Sequence, residues 1–344
     1  MKCYYAKVTE RHDPAFRISF GRIARNAEQA ERARLLLAGL DQLGLPVSEP
    51  DPVPRDILER VHTKKLLSFL ETGWAEWQAF PDAGPEVVPN VHALNKERSY
   101  PKHILGRAGW HMGDTAAPLG EHGWEATLGA VAAAHDAARA VQQGESVAYA
   151  LCRPPGHHSS ADVVAGHCML NCAAVAVETL KPTHPRIAVL DIDVHHGNGT
   201  QDIFYDREDV LFVSVHATPE TYYPFFVGYA HETGRGAGEG YNLNIPLAQS
   251  TGDDGWCDAI ASGLDRVAEF KPDALVVSLG LDAHENDPLK GLKVTFDGFR
   301  RAGQMIAAAG LPTVLVQEGG YLSPDLTTSL VAYLAGHTGR DIEF

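Results

Sequence analysis

Four short apolar runs in this chain each end abruptly in a group of polar, titratable residues. One run, residues 187–190, is followed at once by DIDVHHGNGTQ. The other three are followed by RPPGHHSS from Arg153, GLDAHENDP from Gly280 and QEGGY from Gln317. Apolar runs without polar alternation are typical of strands buried on both faces of a parallel sheet. Because the carboxyl ends of parallel strands meet at one edge, the sequence predicts that the four polar groups converge there.

Strand patterns alternate with helical patterns along most of the 344 residues. This alternation predicts an α/β fold with a central, mainly parallel sheet flanked by helices on both faces, formed by a single domain over residues 1–344. The predicted strands are 2–6, 146–151, 187–190, 210–215, 274–279 and 313–317. The predicted helices are 27–43, 56–69, 124–142, 172–180, 256–270, 296–309 and 325–335. Residues 81–122 break the alternation, and we expect a long loop inserted into the domain.

Composition excludes several classes of protein. The formal net charge of −15 argues against a nucleic-acid partner, since such proteins usually carry a basic surface. The 5 cysteines have no paired CxxC spacing, so neither a disulfide framework nor a thiolate zinc site is indicated. No apolar run reaches the roughly 18 residues of a membrane span, and the first residues lack the apolar stretch of a signal peptide. We therefore expect no membrane partner and a cytoplasmic location.

Asp193 and His195 are the first candidate metal ligands. At the end of an extended strand, residues i and i+2 point to the same side, which suits two ligands of one ion. An isolated Asp-x-His is as easily explained by a salt-bridged pair, but Asp282 follows another apolar strand and supplies a third ligand. Two carboxylates and one imidazole with an open fourth position predict a catalytic Zn²⁺ site, where bound water has a pKa near 7.

The histidine pair at His157 and His158 is the second candidate group. It follows Pro-Pro-Gly, and a turn there would bring both imidazoles to one site. Near a metal, one would take a proton from water and the other would support developing charge. Asp191 and Asn198 are candidates to orient the two rings. The alternative is a pair of surface imidazoles in a polar turn.

Tyr321 follows two glycines beyond the last predicted strand. A phenol held beside the metal would polarise a carbonyl and donate a hydrogen bond to a tetrahedral oxyanion. A turn tyrosine that packs against a helix is the alternative. Together with the metal and histidine groups, Tyr321 favours hydrolytic chemistry.

The motifs RPPGHH, DIDVHHGNGTQDIF, SLGLDAHENDPL and EGGY resemble the zinc-dependent deacetylases, the family of histone deacetylases and bacterial acetylpolyamine amidohydrolases. The resemblance extends from about Ala27, through VHTKKLLSFLE, to about Ala335. It implies an arginase-like α/β fold and hydrolysis of a linear amide. It also implies roles for seven residues. Asp193, His195 and Asp282 would bind Zn²⁺ or Fe²⁺, His158 would act as base and acid, His157 with Asp191 would be the electrostatic partner, and Tyr321 would bind the scissile carbonyl.

The resemblance further implies two structural K⁺ sites, formed mostly by backbone oxygens. The first matches Asp191, Asp193, His195, Ser214 and Val215, and the second matches Phe204, Arg207, Val210 and Tyr241. Related arginases bind two metals through Asp-x-His-x-Asp, but this chain has Gly197 at the last of those positions. A binuclear ureohydrolase is therefore disfavoured.

Among the deacetylases, the chain is most similar to the bacterial acetylpolyamine enzymes in size and in its insert, which contains AGWHMGDTAAPLGEHGW. The resemblance implies a small acetylated amine as substrate and a homodimer formed through residues 81–122. The alternatives are hydrolysis of acetyl-lysine in proteins or peptides, and a binding scaffold without activity.

Three features of the expected substrate channel depart from the acetylpolyamine enzymes. Two insert glutamates that would face a distal ammonium read Leu105 and Ala116, although Asp114 lies close by. His167, after Gly166, stands where an aromatic wall is usual, with Tyr223 expected as the opposite wall. Leu289 stands where a polyamine-selective relative carries a glutamate.

Overall fold

The computed structural model describes residues 1–94, 96–97 and 99–342. Eight strands form one parallel sheet: β1 (Lys2–Tyr4), β4 (Val47–Ser48), β5 (Val147–Ala150), β6 (Ile187–Asp191), β7 (Val210–Ala217), β8 (Asn242–Leu247), β9 (Ala274–Leu279) and β10 (Thr313–Gln317). Their order is β4-β1-β5-β10-β9-β6-β7-β8. A separate antiparallel hairpin consists of β2 (Phe16–Ser19) and β3 (Arg22–Arg25).

Ten helices accompany the strands in the described part of the chain. They are α1 (Glu31–Gln42), α2 (Arg55–Val61), α3 (Lys64–Gln78), α4 (Ile104–His111), α5 (Gly123–Gln142), α6 (Cys172–Leu180), α7 (Asn198–Phe204), α8 (Asp253–Phe270), α9 (Phe296–Ala308) and α10 (Leu326–Thr338). Among the described residues, none of these helices is both long enough and apolar enough to cross a membrane.

The sheet is covered by helices on both faces. Alternate residues of a strand point to opposite faces, so in β6 Ile187 and Val189 enter one core while Ala188 and Leu190 enter the other. Helices α2, α3, α5 and α6 pack in the first core, and α1, α8, α9 and α10 in the second. This double burial explains why the central strands are continuously apolar, and the predicted α/β fold class is confirmed.

Strands β9 and β10 and helix α6 have the predicted bounds, and most other elements differ from prediction by a few residues. Two predictions were wrong in more than length, and five further elements were not predicted. The predicted helix 56–69 is two helices, because Thr63 begins α3 as its N-cap and its N–H bonds to Ala161 O. The insert 81–122 contains α4. Strands β2, β3, β4 and β8 and helix α7 were not predicted.

A buried ion cluster connects the amino-terminal segment to the sheet. The guanidinium groups of Arg32 and Arg153 share the single carboxylate of Glu28, with Arg153 Nε 2.7 Å from Glu28 Oε1. Arg32 also donates to the backbone oxygens of Gly320 (2.6 Å) and Glu318 (2.8 Å), beyond β10. All three charged side chains are almost entirely inaccessible to solvent. The cluster therefore fixes the loop after β10 to α1 and to the loop after β5.

Glu28→Gln is expected to destabilise the fold by about 3–5 kcal/mol, because it leaves two buried guanidinium groups without a counter-charge. The matched control is Glu31→Gln, which removes an exposed ion pair with Arg34 and is expected to cost less than about 1 kcal/mol. Urea unfolding measures both values. Equal costs for the two variants would contradict the importance assigned to the cluster.

Candidate active site

The four polar groups converge at one edge because their strands are neighbours. In the sheet, β5, β10, β9 and β6 lie side by side, and all four run parallel. The loops that follow them carry His157 and His158, Tyr321, Asp282 and Asp193, respectively. The carboxyl edge of these strands is therefore the location of the candidate site.

Asp193, His195 and Asp282 form a compact group of possible metal ligands. One ligand atom from each lies within 4.8 Å of the others. His195 Nδ1 is 3.0 Å from Asp193 Oδ1 and 3.2 Å from Asp282 Oδ2. Strand β6 ends at Asp191, so Asp193 and His195 lie in the following loop and not on the extended strand that the spacing argument assumed. The loop brings them together nonetheless.

The donor set fits a bound cation. Both carboxylates are fully buried, and among the described residues Asp282 Oδ2 accepts no hydrogen bond of good geometry, although His195 Nδ1 lies within ion-pair distance of it. Gly319 lies against the same group, since a Cβ there would overlap the Oδ2 atoms of both Asp193 and Asp282. The group thus consists of two buried carboxylates and one imidazole, with space left for them by a glycine. Ligands of these kinds are typical of a divalent metal site.

Backbone amides hold the two carboxylates in place. Asp193 Oδ2 accepts from Gly319 N (2.8 Å), and Asp193 Oδ1 accepts from His195 N (2.9 Å). Asp282 Oδ1 accepts from Val194 N (3.1 Å). Asp282 is thus fixed by the loop that carries Asp193 and His195, and Asp193 is fixed by its own loop and by the loop after β10.

His157 and His158 lie in a turn beside this group, with ring centroids 4.1 Å apart. His157 Nδ1 donates to Asp191 Oδ2 (2.9 Å), and His158 Nδ1 donates to Asn198 Oδ1 (2.6 Å). Both Nδ1 atoms therefore carry protons, and each Nε2 is the nitrogen left for chemistry.

The two imidazoles titrate in opposite directions. Burial acts to lower the pKa of His157, but the charges of Asp193 and Asp191 outweigh it and raise this pKa well above the usual value. Burial, reinforced by the positive charges of His157 and His195, lowers the pKa of His158 well below its usual value. The first ring is charged and the second is neutral, as an electrostatic partner and a base require.

A narrow pocket of about 60 Å³ leads to these residues. His158, His195 and Tyr321 lie at its polar end, and burial raises the pKa of the Tyr321 phenol well above its usual value. The phenol therefore stays protonated and can donate a hydrogen bond. The remaining lining residues are Arg17, Ala116, Gly166, His167, Tyr223 and Leu289.

The walls of the pocket are tied to the insert. Asp114 accepts from Tyr223 OH (2.8 Å) and from Gly166 N (3.0 Å), and His167 Nδ1 donates to Ala116 O (2.9 Å). Burial lowers the pKa of His167 to about 3, with help from the positive charge of Arg17, so this wall is a neutral imidazole. Asp114 is thus an acceptor that ties the two walls together.

The residues matched to the two monovalent-cation sites lie near β6 and β7. Ser214 pairs with Asp191 across these strands, and its hydroxyl contacts His216 Nδ1 at 2.9 Å. In the second set, Phe204 O accepts from Arg207 N and Tyr241 O accepts from Phe212 N. A carbonyl oxygen has two lone pairs, so each can also face a cation.

A second group of possible ligands, His157, Cys168 and Glu318, lies deeper in the protein. Glu318 already accepts from the backbone N–H groups of Gly156 and His157 and from Ser278 Oγ. Burial raises the pKa of the Cys168 thiol well above its usual value, which keeps it protonated. All five cysteines are buried and free. This group is a hydrogen-bonded support for the His157 turn.

Two sequence features acquire a structural explanation. Gly197 stands where an arginase would have a second carboxylate, and a Cβ at this position would already overlap Asp191 Oδ2. His196, which had no predicted role, is buried with Nε2 3.0 Å from Gln201 Oε1 and stacks near His216. It therefore fixes the loop after β6 to α7.

Sequence reasoning missed Arg17, Tyr222 and Arg32. Tyr222 stacks on the His195 ring at 4.9 Å, and the Arg32 guanidinium lies 4.8 Å from the Tyr321 ring centroid. Nothing in the sequence connects these residues to the site. The hairpin that carries Arg17 had a signal, because apolar Phe16, Ile18 and Ile23 alternate around a glycine.

The model of the histone deacetylase domain matches residues 26–337. The chain belongs to the histone deacetylase domain family. The matched residues include every loop of the candidate site. Arg17, on β2, lies before the first matched residue.

Curated relatives in this family match nearly the whole chain. An acetylpolyamine amidohydrolase of Burkholderia pseudomallei is 42% identical over 337 residues, which cover 98% of both chains. One from Mycoplana ramosa is 39% identical and covers 90% of this chain and 91% of its own.

Solved structures agree with the same fold. The crystal structure of the acetylpolyamine aminohydrolase from Burkholderia pseudomallei superposes with a TM-score of 0.94 at 41% identity, covering 98% of each chain. The HDA15 HD domain gives a TM-score of 0.81 at 26% identity, covering 98% of this chain and 89% of its own. The predicted deacetylase-like fold and family are both confirmed.

Gly319→Ala is expected to reduce divalent-metal affinity at least tenfold, because its Cβ forces the Asp193 and Asp282 carboxylates apart. Gly252→Ala is the matched control: Gly252 has φ −100° and its nearest atom to a Cβ lies 3.5 Å away. Elemental analysis after dialysis against limiting metal measures the difference. Full metal content in Gly319→Ala would contradict the assignment of the site.

Proposed function

We propose that this protein is a zinc-dependent amidohydrolase that removes the acetyl group from small acetylated amines. The observation that carries the proposal is the buried Asp193–His195–Asp282 group, beside the neutral imidazole of His158 and facing Tyr321 across a narrow pocket. The relatives named acetylpolyamine amidohydrolases support this class of substrate. Residues 1–344 act as one deacetylase domain with an insert at 81–122.

Asp193, His195 and Asp282 would hold the metal, for which we propose Zn²⁺; the same carboxylate and imidazole ligands also suit Fe²⁺. Bound there, Zn²⁺ supplies a water of pKa near 7 and polarises the acetyl carbonyl. Asp191 keeps the His157 ring in position through its hydrogen bond to Nδ1. The backbone amide of Gly319 does the same for the Asp193 carboxylate.

Proton transfer is the work of His158. Its Nδ1–H is committed to Asn198, so the basic Nε2 takes the proton from the attacking water and later returns it to the leaving amine. The charged His157 ring, held by Asp191, stabilises the negative charge that develops nearby. Tyr321 OH donates a hydrogen bond to the acetyl oxygen as it becomes an oxyanion.

Two K⁺ ions complete the proposed cofactors. The first uses oxygens of Asp191, Asp193, His195, Ser214 and Val215, directly behind the proposed zinc ligands. The second uses the carbonyl oxygens of Phe204, Arg207, Val210 and Tyr241. Oxygen ligands of this kind suit a hard monovalent cation, and the pairing of Ser214 with Asp191 brings members of the first set together.

Tyr321→Phe is expected to lower kcat for an acetylated amine by about 10²–10³, because one oxyanion donor is lost. Tyr229→Phe is the control, since the Tyr229 hydroxyl bonds to Phe225 O outside the pocket. Chelation should abolish turnover and Zn²⁺ should restore it. Full activity in Tyr321→Phe would remove its proposed role, and metal-loaded protein without activity would overturn the function.

A homodimer through the insert is the proposed assembly. Val91, Leu94 and Leu105 of the insert expose apolar side chains, and Leu94 is fully exposed. Such side chains favour a protein contact when they occur together.

Sedimentation should show a dimer that Leu94→Glu with Leu105→Glu converts to a monomer. A wild-type monomer that prefers acetyl-lysine peptides would instead favour a protein deacetylase.

A further inference from the structure

The hairpin before α1 places a cation in the substrate pocket. Arg17 lies on β2, where it pairs with Ala24 of β3. Ile18 N donates to Thr115 Oγ1 (3.1 Å), which ties the hairpin to the insert. Arg17 thereby lines the same pocket as His158, His195 and Tyr321. Its position is a product of tertiary structure, since it lies far from these residues in sequence.

The pocket offers no carboxylate to balance this charge. None of the nine lining residues is Asp or Glu, and Arg17 is the one with a permanent charge. The oxygens of the nearby carboxylates already accept hydrogen bonds from neighbouring groups of the protein. Asp114 accepts from Ala116 N, Gly166 N and Tyr223 OH, while Asp287 accepts from Leu289 N and Tyr321 N.

The guanidinium of Arg17 is also unpaired. Among the described residues no carboxylate lies within ion-pair distance of it, whereas Arg25 of the same hairpin lies 3.7 Å from Asp13. Arg17 Nε is buried and has no hydrogen-bond partner in the part of the chain that the structure describes. A buried donor without a partner carries a free-energy cost that a ligand oxygen would remove. A guanidinium binds a carboxylate best, through two parallel hydrogen bonds.

We propose that Arg17 selects acetylated amines whose far end is a carboxylate, that is, small ω-acetamido acids, over those that carry a second ammonium group. This inference rests on the proposed deacetylase function and names its substrate class. The acetamide end would reach Tyr321, and the carboxylate would take the free guanidinium donors. An ammonium group would instead face a like charge in a site partly shielded from water.

Three substrates of equal chain length test the proposal: 6-acetamidohexanoate, its neutral primary amide, and N-acetylcadaverine. For the wild type, kcat/KM is expected to be at least tenfold higher for the carboxylate than for the ammonium compound, mainly through KM. Arg17→Gln should remove this preference, and Arg17→Glu should reverse it. Arg22→Glu, on the exposed strand of the same hairpin, makes the same change in net charge and should leave the preference intact.

The outcomes separate the inference from the function on which it rests. Equal or faster hydrolysis of N-acetylcadaverine, or hydrolysis of acetyl-lysine peptides in preference to the free acid, would overturn the role of Arg17 and leave the deacetylase function standing. If metal-loaded protein hydrolyses none of the compounds, the proposed function fails. Calorimetry with the Tyr321→Phe variant then tests the role of Arg17. The proposal requires that this variant bind the carboxylate compound more tightly than the ammonium compound, and that adding Arg17→Gln remove the difference. Equal binding of the two compounds by Tyr321→Phe would overturn the proposal.

Discussion

Burial of carboxylates at the edge of the sheet is the constraint on which the rest of the site depends. Asp191, Asp193, Asp282 and Glu318 are all completely inaccessible to solvent. An ionised carboxylate is stable in such surroundings only if hydrogen-bond donors and positive charges replace water. The loops after β5, β6 and β10 supply these donors as backbone N–H groups. Their glycines follow from the same need, because a Cβ at Gly319 or Gly197 would overlap the oxygens being held.

The same constraint explains why two adjacent histidines differ in charge. His157 faces Asp191 and Asp193, so its positive charge offsets part of the carboxylate charge. His158 has a neutral amide, Asn198, as its partner and lies beside the charged His157 ring. Burial, and then repulsion from the charged His157 ring, lowers the pKa of His158, so His158 stays neutral. The pair therefore divides into a fixed cation and a base, although the sequence shows only two identical residues.

Residue patterns predicted the strands and helices whose position depends on local burial. The strands β9 and β10 and the helix α6 were predicted with their observed bounds, since each is mainly apolar and is buried along its whole length. Strand β8 was missed because it lies at the sheet edge and carries polar Asn242 and Asn244. The break between α2 and α3 depends on a hydrogen bond from Thr63 to Ala161, about a hundred residues away. Convergence of the candidate ligands was predictable because parallel strands share an edge, but Arg17 was not, because its contact with the pocket depends on how the hairpin docks.

Chemistry and specificity consequently reside in different parts of the fold. The candidate metal ligands and histidines are held by the buried ends of central strands, where a change of charge would disturb several partners at once. Arg17 and Ala116 belong to the hairpin and the insert, which contact each other through Ile18 and Thr115 at the protein surface. A side chain there can change from acidic to basic at little cost to folding, because it has few internal partners to lose. A residue at this position can therefore set which charge the far end of the substrate carries while the hydrolytic machinery stays the same, and in this chain that residue is Arg17.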